Sequence, residues 1–346
     1  MLRNSTWAAC AAAAAAAACA DEQRWLDAAE RDLQTDGTVV EFPLPTPNSG
    51  PTTLAIAPDG TIWFTLGGAN AIGRMNPDGS GLVEYPLPHL QSAPRIIALG
   101  ADGNMWFSEH TGNRIGRITP AGEISEFDIP TPASQPRAIA LGADGNIWVG
   151  LFAAGKIARV TPAGVVTEFE IPTPDSGPRA LAAGPDGNVW FSEFKASKIG
   201  RITPAGEVTE YALPRPNAGP GDITAGADGN LWFVELSGNM DGVATDGGRV
   251  GRITPAGEVT EFPLPAEGPS PINIAVGPDT NVWYTRGAKL GRVTPQGEID
   301  EIPIAEGNAR AVGLTAGSDR QPPERLTNRL WFADGARNRI AYLPFE

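Results

Sequence analysis

The 346-residue chain has two histidines, two cysteines and four lysines, and each shortage closes off a class of chemistry. Both cysteines, Cys10 and Cys19, fall in an alanine-rich N-terminal stretch. The rest of the chain therefore has no thiol for a disulfide framework or for thiol catalysis. Lys and Arg number 26 against 40 Asp and Glu, a formal charge of −14. Nucleic acid is not expected as a partner, because its phosphates need concentrated basic residues, and a polybasic membrane-surface role is equally disfavoured. Beyond the N-terminus no apolar run is long enough for a transmembrane segment. The G-x-S-x-G, H-E-x-x-H, C-x-x-C and P-loop patterns are all absent. Disorder is excluded by the 41 % apolar content, despite 42 Gly and 33 Pro.

The N-terminus reads as an address. Arg3 precedes an alanine-dominated run over 7–18, and Ala18-Cys19-Ala20 has the A-x-A form of a cleavage site, so residues 1–20 are expected to be a signal peptide and the protein to be exported. A second export reading makes Cys19 a lipidated anchor. Residues 21–37 follow as a short helix or tether, with Trp25, Leu26, Ala29 and Leu33 at roughly helical spacing.

From residue 38 to the end, one pattern repeats. Tryptophan recurs at 63, 106, 148, 190, 232, 283 and 331, with spacings of 43, 42, 42, 42, 51 and 48. The fourth copy, PRALAAGPDGNVWFSEFKASKIGRITPAGEVTEYALP, divides into four strand-length runs at 178–183, 188–193, 198–203 and 207–213. PDG, a variable loop and PAG separate them, with glycine where a turn needs positive φ. Four antiparallel strands repeated at this period predict an all-β fold, a seven-bladed β-propeller. The chain enters with a fourth strand (38–44) and leaves on a third (339–344), so the N-terminal strand is expected to complete the last blade and leave no open edge. Insertions fall in the fifth repeat (236–250, with Asp241 and Asp246) and in the seventh (around 318–327). The first is read as a rim loop, since its spacing does not fit a calcium loop.

Candidate residues come from aligning the repeats. Both histidines belong to the second: His89 in the connection into the blade and His110 directly after Glu109. A histidine base oriented by a carboxylate is what elimination at carbon needs, with a hydrated Mg²⁺ to stabilise an enolate. The residue after the proline that opens each first strand is Thr52, Arg95, Arg137, Arg179, Gly221, Ile272 or Arg310. Three residues after each tryptophan stand Leu66, Glu109, Leu151, Glu193, Glu235, Arg286 and Asp334. Both series should lie on the ligand-bearing top face. Arg95 with Glu109, Arg179 with Glu193 and Arg310 with Asp334 are then expected as ion pairs within a blade, leaving Arg137, Glu235 and Arg286 unmatched. Unpaired arginines at a channel mouth would attract a carboxylate, phosphate or uronate. The expected partner is a small-molecule, carbohydrate or peptide ligand on that face, and the protein is expected to be a monomer.

The combination P-x-x-I-x-x-G-x-D-G-x-W-F-[ST]-E, I-G-R-I-T-P-x-G and E-[FY]-x-[IL]-P-T-P resembles the streptogramin B lyase (virginiamycin B lyase) family over about 38–346, most literally at 104–132 and 188–214. It is more distantly similar to NHL-type and gluconolactonase propellers. The resemblance implies a seven-bladed propeller and a metal-assisted carbon–oxygen lyase that opens a cyclic depsipeptide antibiotic without water. That chemistry uses Mg²⁺, glutamates and a histidine at the top of the channel, the histidine in a P-H-x-I form in late repeats. None of the seven matching positions here is histidine. In the last repeat Asn308, Arg310 and Asp334 stand where the lyase has Glu, His and Glu. Asp334 and Glu235 are the candidate metal ligands, whereas Arg310 cannot be a general base, because a guanidinium keeps its proton. Two expectations follow: a lyase acting on a cyclic depsipeptide or an acidic sugar, or a non-catalytic propeller that binds through its top face.

Overall fold

A computed structural model describes residues 38–236, 248–304, 310–316 and 328–345. The expected leader and tether, the insertion loops with Asp241 and Asp246, and Asn308 lie outside the described residues. Those described form seven four-stranded antiparallel sheets and no helix. Blades are numbered here in chain order, and strands from one, at the centre, to four, at the rim. In blade four the strands are Pro178–Ala183, Val189–Glu193, Lys198–Ile202 and Val208–Ala212, within a residue of the sequence expectation. Closure is also as expected: Val40–Pro43 is the fourth strand of blade seven, pairing antiparallel with Arg339–Pro344, with Val40 opposite Tyr342.

The repeated tryptophan explains why the blades stack. All seven are at most 2 % exposed, and each packs into the next blade. Trp190 lies with Leu231, Phe233 and Ile253 of blade five, and Trp331 with Leu54, Phe64 and Met75 of blade one, which seals the ring. A buried indole N–H needs an acceptor. The turn aspartate provides it: Trp190 donates to Asp186 Oδ1 at 3.0 Å, while Asn188 Nδ2 donates to Oδ2 at 2.8 Å. That is the physical content of the D-G-N-x-W motif. Above the ring lies the third-strand arginine, Arg201, 5.6 Å from the Trp190 centroid, and its Nη1 reaches the carbonyl of Pro255 in blade five at 3.3 Å. The third-strand arginines of blades one, two, three and five make the same reach, and in blade seven Arg329 of strand two replaces it, its Nη1 on the Pro77 carbonyl at 2.9 Å.

The glycine of I-G-R is set by close approach. A Cβ on Gly116 or Gly200 would fall 2.1 Å from the ring of Phe107 or Phe191. In blade three the aromatic is Val149 instead, and the third strand there carries Ala158. Blade seven keeps the aromatic, Phe332, opposite Ala341.

Candidate functional site

The first strands line the axis. Their opening prolines sit opposite the last residue of strand two, Pro94 opposite Glu109, Pro178 opposite Glu193 and Pro220 opposite Glu235. Both residue series therefore lie at one end of the molecule, as the repeat alignment predicts. Each of these pairings shifts register just after the proline. Such an irregularity re-aims the side chains that follow. A cavity of about 410 Å³ results, lined by Arg95, Arg137, Arg179 and Arg310 together with Asp222 and Asn273. Its size falls in the range of small-molecule sites.

Hydroxyl groups of the W-F-[ST] motif fix the lining from behind. Thr65 Oγ1 donates to the carbonyl of Arg95 at 2.9 Å, and Ser108 Oγ to that of Arg137 at 3.0 Å. Ser192 Oγ does the same to Gly221 at 2.6 Å. Each hydroxyl belongs to one blade and holds the first strand of the next.

The arginine side chains rest on shelves. Arg137 lies 5.4 Å from the centroid of Phe152, and Arg179 lies 5.1 Å from that of Phe194, both rings standing four residues after the blade's tryptophan. In blade two that position is His110. Burial, then the Arg95 and Arg137 charges, lower its pKa to about 4, so the ring is neutral beside those two arginines. Burial holds Arg95, Arg137 and Arg179 below the ordinary guanidinium range, with mutual repulsion adding to it at Arg137 and Arg179. A guanidinium keeps its proton in proteins, so the cost is that of charges held away from water, with repulsion added at Arg137 and Arg179 and partly offset there by Asp222. Among the described residues no carboxylate forms a salt bridge with any of the four channel arginines.

Two lining residues escaped the repeat alignment. In blades five and six the polar side chain stands one place later than the arginine of other blades, at Asp222 and Asn273 rather than at Gly221 and Ile272. The P-G-D and P-I-N triplets were the available signal. Asp222 Oδ2 accepts from Asn273 Nδ2 at 3.1 Å and from the Ile274 N–H at 3.2 Å, and Oδ1 accepts from the Ile223 N–H at 3.0 Å. Burial raises its pKa, opposed by those donors and by Arg179. Asn273 Oδ1 accepts the Gly313 N–H at 2.9 Å, locking three neighbouring first strands together. Gly313 has φ 59°, and a Cβ there would meet the Thr52 carbonyl at 2.2 Å.

The ion pairs expected within a blade are not formed. The acids after each tryptophan face the outer strands. Glu109 pairs with Arg114 at 2.9 Å, and Asp334 with Arg337 Nε at 2.6 Å, while Arg310 reaches Asp334 only through its backbone N–H, at 3.1 Å. Glu193 lies beside Glu210, whose own cation is Lys198 at 3.3 Å. Two of the three charges expected to be unmatched have partners: Arg286 pairs with Glu301 at 2.6 Å, and Glu235 has Arg215 at 3.9 Å. Only Arg137 fits that expectation. Burial, and then a second glutamate close by, push Glu109 up to about 7 and Glu193 and Glu235 to about 8.

The histidine–glutamate–histidine constellation is not assembled either. The side chain of His89 is 61 % exposed, and its Nδ1 meets Glu126. That is the place where Thr131 Oγ1 meets Glu168, at 2.6 Å, one repeat later. His89 is thus a connector clamp, and His110 turns to the channel arginines while Glu109 turns away. The donors do not fit a magnesium ion. Both oxygens of Asp334 are engaged by Arg310 and Arg337, Glu235 is buried between Glu261 and two arginines, and the cavity itself is cationic. Among the described residues no three His, Cys, Asp or Glu side chains cluster as ligands. No helix among the described residues is long and apolar enough to cross a membrane.

Comparison with known proteins gives concordant matches. A model of the virginiamycin B lyase family matches residues 8–248 and 138–345. The selenomethionine-substituted virginiamycin B lyase from Staphylococcus aureus superposes with a TM-score of 0.80 at 35 % identity, over 89 % of this chain and 99 % of that one. A catalytically inactive form of that enzyme, with one histidine replaced by alanine and with quinupristin, matches at the same scores. Virginiamycin B lyase from Bordetella parapertussis is 48 % identical over 42 residues, which span 12 % of this chain and 14 % of that relative.

Proposed function

The chain belongs to the virginiamycin B lyase family, and from that premise we propose that it is an exported propeller whose channel mouth binds a small organic anion, without the lyase chemistry of its relatives. The observation that carries this reading is the group of arginines from consecutive blades, facing one cavity and forming no salt bridge with a carboxylate among the described residues. Guanidinium groups bind carboxylate and phosphate through paired N–H donors, and partial desolvation strengthens those bonds. A bound anion would also relieve the repulsion among them.

Loss of the lyase reaction follows from one position. Arg310 stands where the family's motif has histidine, and a protonated guanidinium cannot take a proton from carbon. His110 is no substitute, since a ring held neutral to about pH 4 is a weak base at neutral pH. No metal-assisted step is assigned, because the described donors around the channel do not fit one.

Two assays test this reading. Incubation with quinupristin and Mg²⁺, followed by mass spectrometry, should yield no linear isomer even at high protein concentration. Thermal-shift titration with citrate, glucuronate and phosphate should raise Tm for at least one of them, less so at high salt. A linear product, or no stabilisation by any of the three, would overturn it.

A further inference from the structure

The cavity has two unlike sides. Blades two to four contribute Arg95, Arg137 and Arg179, and blades five and six contribute Asp222 and Asn273. Three N–H donors hold the Asp222 carboxylate, two on Oδ2 and one on Oδ1. A carboxylate has about four lone-pair sites, so one acceptor site is left, on Oδ1. By the same count Asn273 keeps one acceptor site on Oδ1 and one N–H on Nδ2, since Gly313 and Asp222 take one of each. It is a positioning residue that fixes how Asp222 is presented.

This second side excludes several ligands. A second carboxylate or phosphate next to Asp222 would be repelled by it. An ammonium group there would face Arg179 and Arg137, whose charges interact with Asp222. What remains is a neutral hydrogen-bond donor, a hydroxyl group. The geometry points to a hydroxylated monocarboxylate as the ligand class, of uronic acid type, its carboxylate on the arginines of blades two to four and a hydroxyl on Asp222. This inference rests on the anion-binding reading and adds Asp222 as the residue that sets specificity. A site built to hydrogen-bond a hydroxyl discriminates strongly against an analogue that lacks it, since the buried acceptor is then left without a donor.

Calorimetric titration of the mature chain with D-glucuronate and with cyclohexanecarboxylate separates the two layers of the argument. Both probes carry one carboxylate on a six-membered ring, and only the first has ring hydroxyls. The wild-type protein should bind glucuronate at least about tenfold more tightly. Asp222→Asn should weaken glucuronate and narrow the gap, whereas Arg137→Gln should weaken both ligands. Equal affinity of wild type for the two probes would overturn the hydroxyl assignment and leave the anion site standing. Binding of neither would overturn both. Should Asp222→Asn fail to fold, the comparison of the two probes on wild type still decides.

Discussion

At the residue scale the molecule holds charges in two different ways. Channel arginines are shelved on rings and left facing a cavity, whereas the acids behind them are buried against other acids. Glu193 is the sharpest case of the second kind, fully buried beside Glu210 with both oxygens lacking a well-formed hydrogen bond. Its pKa is raised from 4.5 to about 8, so the folded chain keeps a proton that the unfolded chain releases. The contribution to stability is therefore complete below about pH 4.5 and is lost as pH rises through 8. Glu193→Gln should melt close to wild type at pH 4.5 and be more stable at pH 9, by on the order of 1–3 kcal/mol. Parallel stability curves for the two proteins across that range would contradict the assignment.

At the element scale the unit is not the blade but the seam between blades. Ser108 lies in strand two of blade two, yet it holds the carbonyl of Arg137 in blade three and accepts the Ile96 N–H in its own. Ser108→Ala should cost about 1–2 kcal/mol in urea unfolding and weaken anion binding by loosening Arg137. Unchanged affinity would mean that the shelf at Phe152 is sufficient to place it. The strands were legible because their turn chemistry recurs at a fixed period. The site was only half legible. Position after the opening proline identified Arg95, Arg137, Arg179 and Arg310, but the residue after that one also lines the cavity, and in most blades it is apolar. Asp222 and Asn273, one place further on, were missed for that reason. The ion pairs expected within a blade failed for a related one: residues that share an end of the sheet can still point to opposite sides of it. His89 and His110 looked like a pair because they are the only histidines, whereas their repeat equivalents are a threonine and two phenylalanines.

At the scale of the whole molecule, a chain of net charge −14 surrounds a mouth dominated by arginine. Net charge governs solubility and long-range behaviour, while a recessed cluster of one sign sets the local field seen by a ligand. The ring makes that cluster possible, since seven first strands converge on one axis and each delivers a side chain at the same depth. The Staphylococcus aureus virginiamycin B lyase shares the ring; in this chain its mouth is lined mainly by guanidinium. The most direct measurement is calorimetric titration of D-glucuronate at low salt into wild type and into the Arg95→Gln, Arg137→Gln, Arg179→Gln triple variant. Saturable binding to wild type and none to the triple variant is the predicted result, with a triple-variant Tm no lower than wild type, because the removed charges are buried and repel one another. Equal glucuronate binding by the two proteins would contradict it.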